Sequence, residues 1–166
     1  LIERIRQTVD TPPERILDLG TGSGAIAIAL ATAFPEAQIT AVDLSEEAIA
    51  LAKENADAQA LVHSIRFLQG SWLEPLTEGE HFDLIVSNPP YLTEEEMTTA
   101  EPEVAEHEPL SALVSGVDGL DDIRRILKAA RLHLSEGGLL ALETGIAQHE
   151  ALEPIAMEAG VSDVPS

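Results

Sequence analysis

A glycine-rich turn between an apolar strand and an apolar helix is the feature that most constrains how this chain can fold. Arg15 to Leu19 reads as a short strand, and the turn Gly20-Thr21-Gly22-Ser23-Gly24 leads into an apolar helix from Ala25 to Ala33. Glycine reaches the left-handed backbone conformations that such a tight turn needs. A helix that is apolar on all sides must be covered, and a sheet with helices packed against it provides the cover. The pattern therefore predicts the first βα unit of an α/β fold.

Further strands and helices alternate along the chain. Ser45 is a suitable N-cap for a helix that runs to about Asp57, and an N-terminal helix is predicted to end at Thr11-Pro12-Pro13. The remaining strands are predicted at Gln38 to Val42, Ile65 to Leu68, Phe82 to Val86 and Leu139 to Leu142. This order predicts a single domain with a mainly parallel sheet between two layers of helices.

The C-terminal third is predicted to contain two helices. The first opens at Asp121 or Asp122, continues through Leu134 and ends at Gly137-Gly138, and the second runs from about Ala147 to Ala159. Between residues 93 and 107 the chain is rich in glutamate and too polar for a core, so we expect a surface loop or broken helix there.

The segment Ser87-Asn88-Pro89-Pro90-Tyr91 follows the predicted strand Phe82 to Val86. Ligands of open α/β sheets bind at the carboxyl ends of the strands. The prolines restrict the backbone, so Asn88 and the neighbouring carbonyls are held rigidly. A carboxamide oxygen, restrained carbonyls and an aromatic face are suited to hold a planar group that carries an NH2.

The glycine turn alone leaves two cofactor classes open. Gly20, Gly22 and Ala25 satisfy a relaxed dinucleotide pattern, and Asp43 stands where a ribose-binding acid is expected, which favours a dehydrogenase-type domain. Gly24 departs from that pattern, and Asp18 places an acid in an apolar strand. A buried acid needs a partner, either the backbone or the amino group of an amino-acid-bearing cofactor.

The charge of the chain argues against polyanionic partners. There are 30 acidic and 9 basic residues, for a net charge of −21, and no Lys or Arg lies between Arg66 and Arg124. Such a surface repels nucleic-acid backbones and anionic membranes, so we expect neither as a direct partner. No cysteine is present to form a disulfide or a thiolate metal site, and no metal is expected. No signal peptide or spanning segment is visible, and a cytoplasmic location is expected.

Four motifs together resemble those of the class I S-adenosylmethionine-dependent methyltransferases. These are Ile16-Leu17-Asp18-Leu19-Gly20-Thr21-Gly22-Ser23-Gly24, Val86-Ser87-Asn88-Pro89-Pro90-Tyr91, Glu108-Pro109-Leu110-Ser111-Ala112-Leu113 and Leu142-Glu143-Thr144-Gly145, with Asp43 at a strand end. More narrowly, their order resembles that of the HemK/PrmC family, which methylates the glutamine side-chain amide in the Gly-Gly-Gln motif of peptide-chain release factors. The resemblance implies a Rossmann-like three-layer sandwich, S-adenosylmethionine as cofactor and release factors as partners.

The resemblance also implies roles for individual residues. The glycine turn would wrap the methionine and ribose parts of the cofactor, Asp43 would bind the ribose hydroxyls, and Leu44 and Trp72 would contact the adenine. Ser71 stands where the family often has Asp, which puts an adenine contact in question. The expected cofactor-binding residues are Asp18, Gly20, Thr21, Gly22, Ser23, Gly24, Asp43, Leu44, Ser71, Trp72 and Asn88.

The acceptor is expected at Asn88, Pro89, Pro90 and Tyr91, of which Asn88, Pro89 and Tyr91 are the predicted catalytic residues. Two alternatives remain open at this level. Enzymes that methylate exocyclic amines of nucleic-acid bases carry a closely related motif, and a nucleotide-binding module without transferase activity would also use the glycine turn.

The resemblance finally implies domain boundaries. Residues 1–12 would be the end of an incoming linker helix, and residues 13–166 the catalytic domain without its C-terminal β-hairpin. We therefore expect the chain to be a fragment of a longer protein.

Overall fold

The computed structural model describes residues 1–90, 93, 114–145 and 148–160. The chain divides into two compact units. The first consists of Leu1–Asn88 and Leu132–Leu142, and the second of Pro89–Arg131 and Glu143–Ser166. Of the predicted acidic loop over residues 93–107, residues 94–107 lie outside the described residues. Tyr91 and the motif Glu108-Pro109-Leu110-Ser111-Ala112-Leu113 also lie outside them.

The first unit is built around a five-stranded parallel sheet. Its strands are β1 (Arg15–Leu19), β2 (Gln38–Asp43), β3 (Ile65–Gln69), β4 (Phe82–Ser87) and β5 (Leu134–Leu142), in the order β3-β2-β1-β4-β5. The chain adds strands on one side of β1 and then crosses to the other side, so the direction of winding changes between β1 and β4. Such a switch point opens a crevice at the carboxyl ends of the strands. The predicted α/β class and parallel sheet are confirmed.

Three helices of this unit complete its core: two pack against the sheet, and the first packs against the second. They are α1 (Ile2–Thr8), α2 (Ala25–Ala33) and α3 (Glu46–Ala58). The predicted N-cap of α3 is confirmed, because Ser45 Oγ accepts a hydrogen bond from the backbone N–H of Ala48 at 3.1 Å. A 3₁₀ turn at Val62–Ser64 leads into β3.

Both faces of the central strands are buried. On β1, Ile16 belongs to the core cluster that includes α2, while Leu17 and Leu19, on the opposite face, are also fully buried. Strands of parallel sheets are apolar on both sides for this reason. Asp18 is the polar exception among the buried residues of β1 and is itself fully buried.

The second unit contains α4 (Asp121–Ala130) and α5 (His149–Glu158). The prediction that α4 continues through Leu134 and ends at Gly137-Gly138 is wrong. Leu134 begins β5 and pairs with Phe82, and the two glycines lie inside β5, where the register with β4 shifts. Because the apolar spacing at Leu134 fits a helix as well as a strand, only the pairing with β4 decides between them.

No helix in the described part of the chain is long and apolar enough to cross a membrane.

Candidate functional site

The carboxyl edge of the sheet brings together most of the residues that the sequence singles out. The glycine turn follows β1, Asp43 ends β2, Trp72 follows β3 by three residues, and Asn88 follows β4. Since β2, β1 and β4 are neighbours in the sheet, these groups converge although they lie far apart in the sequence.

The three glycines of the turn all have positive φ, but their surroundings differ. Gly24, at φ +81°, precedes α2, and a Cβ there would lie 2.9 Å from the Cβ of Ala52. A Cβ on Gly22, at φ +54°, would meet nothing within 4 Å. Gly24 therefore permits close packing of α2 against α3, whereas Gly22 leaves open space at the edge of the sheet.

Asp43 fixes the shape of this turn. Its Oδ2 accepts a hydrogen bond from the backbone N–H of Gly22 at 2.8 Å, and its Oδ1 accepts one from Ser45 at 2.9 Å. Each carboxylate oxygen has a second lone pair available. The side chain is thus pre-oriented by the chain and can still accept hydrogen bonds from hydroxyl groups of a ligand.

Asp18 is a buried acid with an incomplete set of hydrogen bonds. Thr21 donates its hydroxyl to Oδ2 at 2.6 Å, and no described residue donates to Oδ1. Burial raises the pKa of Asp18 to about 6; the Thr21 hydroxyl and the Ala27 amide lower that pKa, and the charge of Asp43 raises it. Oδ1 is therefore a buried acceptor suited to a cationic donor.

Trp72 lies against the start of the glycine turn. A Cβ on Gly20 would be 3.3 Å from the Trp72 ring, and Trp72 itself has φ +48°, in the left-handed region. Leu44, directly after Asp43, is 66% exposed. Ser71 is half-buried in the turn before Trp72. An indole and an exposed leucine offer apolar surface suited to a planar ring.

Asn88 is exposed, and the residues on either side of it are buried. Ser87 donates its hydroxyl to the backbone carbonyl of Leu19 at 2.8 Å, which ties the end of β4 to the end of β1. Pro89 is buried, and Pro90 is half-buried. The carboxamide of Asn88 therefore faces solvent from a restrained backbone.

Two hydrogen bonds near the glycine turn, made by Ser87 and Asn55, have no signal in the sequence. The hydroxyl of Ser87 gives no hint of its carbonyl partner 68 residues earlier. Asn55 donates its side-chain N–H to the carbonyl of Ser23 at 2.8 Å, and it sits in a helix that reads as purely amphipathic. Among the described residues, no group of three or more His, Asp or Glu side chains is placed to hold a metal ion.

The family model for the methyltransferase small domain matches residues 1–107. The chain belongs to the methyltransferase small domain family.

Curated relatives of this methyltransferase domain are longer than the chain. It is 50% identical over 129 residues to the release factor glutamine methyltransferase of Gloeobacter violaceus, an alignment that covers 78% of the chain and 45% of the relative. The protein of the same name from Salmonella typhimurium is 43% identical over 164 residues, which cover 99% of the chain and 58% of the relative. The chain thus spans about half the length of these relatives.

Solved methyltransferases share the fold. The T. thermophilus 16S rRNA N2 G1207 methyltransferase, solved in complex with AdoMet and guanosine, superposes with a TM-score of 0.63. The match covers 87% of the chain and 32% of the solved one, at 24% sequence identity. At that identity the likeness supports the class I methyltransferase fold alone.

Proposed function

We propose that the carboxyl edge of the sheet binds S-adenosylmethionine. The buried, unsatisfied Oδ1 of Asp18 suits the ammonium group of the cofactor, directly or through water. The pre-oriented carboxylate of Asp43 suits the ribose hydroxyls, and Trp72 and the exposed Leu44 suit the adenine. Gly22, with open space at its Cα, allows the methionine portion to approach the backbone.

We propose that the acceptor is a side-chain amide held by Asn88. An amide nitrogen is a poor nucleophile because its lone pair is delocalised into the carbonyl. When bound, the cofactor supplies an electrophilic methyl on a sulfonium. The Asn88 oxygen and the carbonyl of Pro89 would accept hydrogen bonds from the amide N–H groups and so aim the nitrogen, which is a positioning effect that needs no metal. By sequence, Pro90 and Tyr91 would complete this acceptor pocket.

The observation that carries this proposal is the exposed residue Asn88, which directly follows β4, the strand next to β1 and its glycine turn. The names of the curated relatives support a release factor glutamine as the substrate. The resemblance to the HemK/PrmC family implies that this is the glutamine of the Gly-Gly-Gln motif. Such an acceptor implies a cytoplasmic reaction. The net charge of −21, with no Lys or Arg between Arg66 and Arg124, favours a protein acceptor over a nucleic acid.

A nucleic-acid amine is the second candidate acceptor. An rRNA N2 methyltransferase shares the fold, and an exocyclic amine presents the same planar NH2 group as an amide. The charge of the chain is the observation that separates the two classes, because a groove for DNA or RNA needs cations to contact phosphates.

The test is methyl transfer from labelled S-adenosylmethionine to a purified release factor, with a Gln-to-Ala acceptor and a panel of DNA and RNA as controls. Asn88→Ala is expected to lower the single-turnover rate at saturating cofactor by about 100-fold, because it removes an aiming contact. Gln38→Ala removes an exposed amide at the opposite edge of the same sheet and should leave the rate unchanged.

Label on nucleic acid would favour the second candidate. Binding of NADH without binding of S-adenosylmethionine would point instead to a dehydrogenase-type nucleotide module.

A further inference from the structure

The peptide group between Leu19 and Gly20 is held at both of its polar ends. Its carbonyl, on Leu19, accepts a hydrogen bond from the Ser87 hydroxyl at 2.8 Å. Its N–H, on Gly20, donates to the carbonyl of Val42 at 2.9 Å. Because a peptide group is planar, rotating this one would break both hydrogen bonds. The orientation of the first peptide of the glycine turn is thus set jointly by β2 and β4.

The hydrogen bond from Ser87 is fully buried. Ser87 is 0% exposed and stands opposite Leu19 in the parallel register of β1 and β4. Removing the hydroxyl would leave the Leu19 carbonyl without this donor in a site that water does not reach, which costs more than losing an exposed hydrogen bond. The contact is therefore able to hold the two strand ends together.

The two residues that hold this peptide, Ser87 and Val42, each precede a residue of the proposed site. Ser87 is followed by Asn88, the proposed acceptor residue, and Val42 is followed by Asp43, whose carboxylate holds the N–H of Gly22. The indole of Trp72 also lies close to Gly20, since a Cβ there would be 3.3 Å from the ring. One peptide group thus connects the acceptor residue to the cofactor turn.

We propose that Ser87 is a positioning residue that aligns the glycine turn with Asn88 through the Leu19–Gly20 peptide. This inference rests on the proposed methyl transfer at the same site. Transfer requires the acceptor nitrogen and the methyl carbon to be in line, and displacements on the order of 1 Å are costly to such reactions. Ser87 touches neither reactant and acts through the backbone alone.

The experiment compares Ser87→Ala with Thr40→Val. Both variants remove a buried hydroxyl from the same sheet, but Thr40 lies in the interior of β2, where its hydroxyl accepts a hydrogen bond from Arg66. Ser87→Ala is expected to lower the single-turnover rate by about 10-fold to 100-fold at saturating cofactor, well beyond any change in cofactor affinity. Thr40→Val should lose thermal stability without this loss of rate. Equal rates in the two variants would overturn the proposal.

Trp72 provides a readout that does not depend on activity. It is the single tryptophan of the chain, and its ring contacts Gly20, so a reoriented Leu19–Gly20 peptide should change its fluorescence emission. We expect altered emission and weaker cofactor binding in Ser87→Ala and neither in Thr40→Val. If the wild-type protein methylates no acceptor, the proposed function fails, while these two signals still decide the role of Ser87, and their absence would refute it.

A third variant, Ser87→Cys, tests the proposal even if Ser87→Ala misfolds. Ser87→Cys preserves a side chain of similar shape with a weaker donor, so its rate should fall between those of the wild type and Ser87→Ala. A cysteine variant with the full wild-type rate and emission would contradict a role for the hydrogen bond.

Discussion

Asp18 illustrates what a single residue can show before and after the fold is known. An acid within an apolar strand is visible in the sequence, and its need for a partner follows from the cost of burying a charge. The sequence does not show which oxygen is satisfied. In the structure, Thr21 satisfies Oδ2 and leaves Oδ1 without a donor among the described residues. The buried carboxylate therefore lowers folding stability, and its Oδ1 is the acceptor that we propose for the ammonium group of the cofactor.

We predict that Asp18→Asn stabilises the ligand-free protein at neutral pH. The native state raises the pKa of Asp18 from 3.8 to about 6, so it holds the proton more tightly than the unfolded state does. Stability therefore falls as pH rises from about 4 to about 6, and the loss is complete above that range, at roughly 3 kcal/mol. An amide does not ionise, so the variant should melt several degrees higher at about pH 8 and near the wild-type value at about pH 4.

Thermal unfolding at both pH values measures this effect. Calorimetry should show in parallel that the variant binds S-adenosylmethionine more weakly, since the carboxylate proposed for the ammonium is gone. A melting temperature that falls equally at both pH values would contradict the assignment of burial as the dominant cause.

At the scale of the element, glycines of one turn meet two different requirements, open space for a ligand and close packing of two helices. The sequence does not distinguish them. Gly22 and Gly24 belong to the same repeating pattern, yet one borders open space and the other touches the backbone and Cβ of Ala52. The spacing of glycines predicts a turn, because φ above zero is a local property. Which glycine faces a helix and which faces a ligand depends on how α3 packs.

We predict opposite consequences for Gly24→Ala and Gly22→Ala. Gly24→Ala combines left-handed strain with overpacking against Ala52 and should cost about 2–4 kcal/mol of unfolding free energy. Gly22→Ala meets no atom within 4 Å and should cost only about 1–2 kcal/mol. Its methyl group would occupy the space proposed for the cofactor, so affinity should fall by at least about 10-fold.

Urea unfolding and cofactor calorimetry on both variants provide the measurement. If Gly22→Ala binds the cofactor as tightly as the wild type, the cofactor does not occupy the open side of the turn.

The fifth strand is the element that sequence patterns described least well. A helical spacing of apolar residues through Leu134, followed by two glycines, is typical of a helix and its stop. In the structure the backbone N–H of Phe82 donates to the carbonyl of His133. The chain begins to pair with β4 at Leu134, four residues after α4 ends. Gly138 then allows the shift in register, since a Cβ there would lie 3.1 Å from the Phe82 carbonyl. The hydrogen bonds between β4 and β5, which are neighbours in the sheet but far apart in the sequence, therefore outweighed the local preference for a helix.

At the scale of the whole molecule, the excess of negative charge is the dominant property. With a net charge of −21 on 166 residues, the acidic side chains repel one another in the folded state, which lowers its stability. The same charge repels polyanions. The described ion pairs, such as that of Arg66 with Glu80 at 2.6 Å, are too few to offset this excess.

We predict that sodium chloride stabilises the protein by screening this repulsion. The melting temperature should rise between about 0.01 and 0.3 M salt, as the Debye length falls below the spacing of surface charges, and then level off. A melting temperature that keeps rising in proportion to salt would indicate preferential exclusion instead, and one that falls would mean that attractive ion pairs dominate. Differential scanning fluorimetry over a salt series measures this.

The sequence by itself determined the order of strands and helices through β4, the glycine turn and the place of Asn88 at a strand end. These features depend on periodicity and on the backbone preferences of glycine and proline, which act over a few residues. Only the tertiary structure decided the extent of β5, the contact of Trp72 with Gly20 and the hydrogen bond from Ser87 to Leu19. These contacts join residues far apart in the chain, and the register of neighbouring strands brings them together.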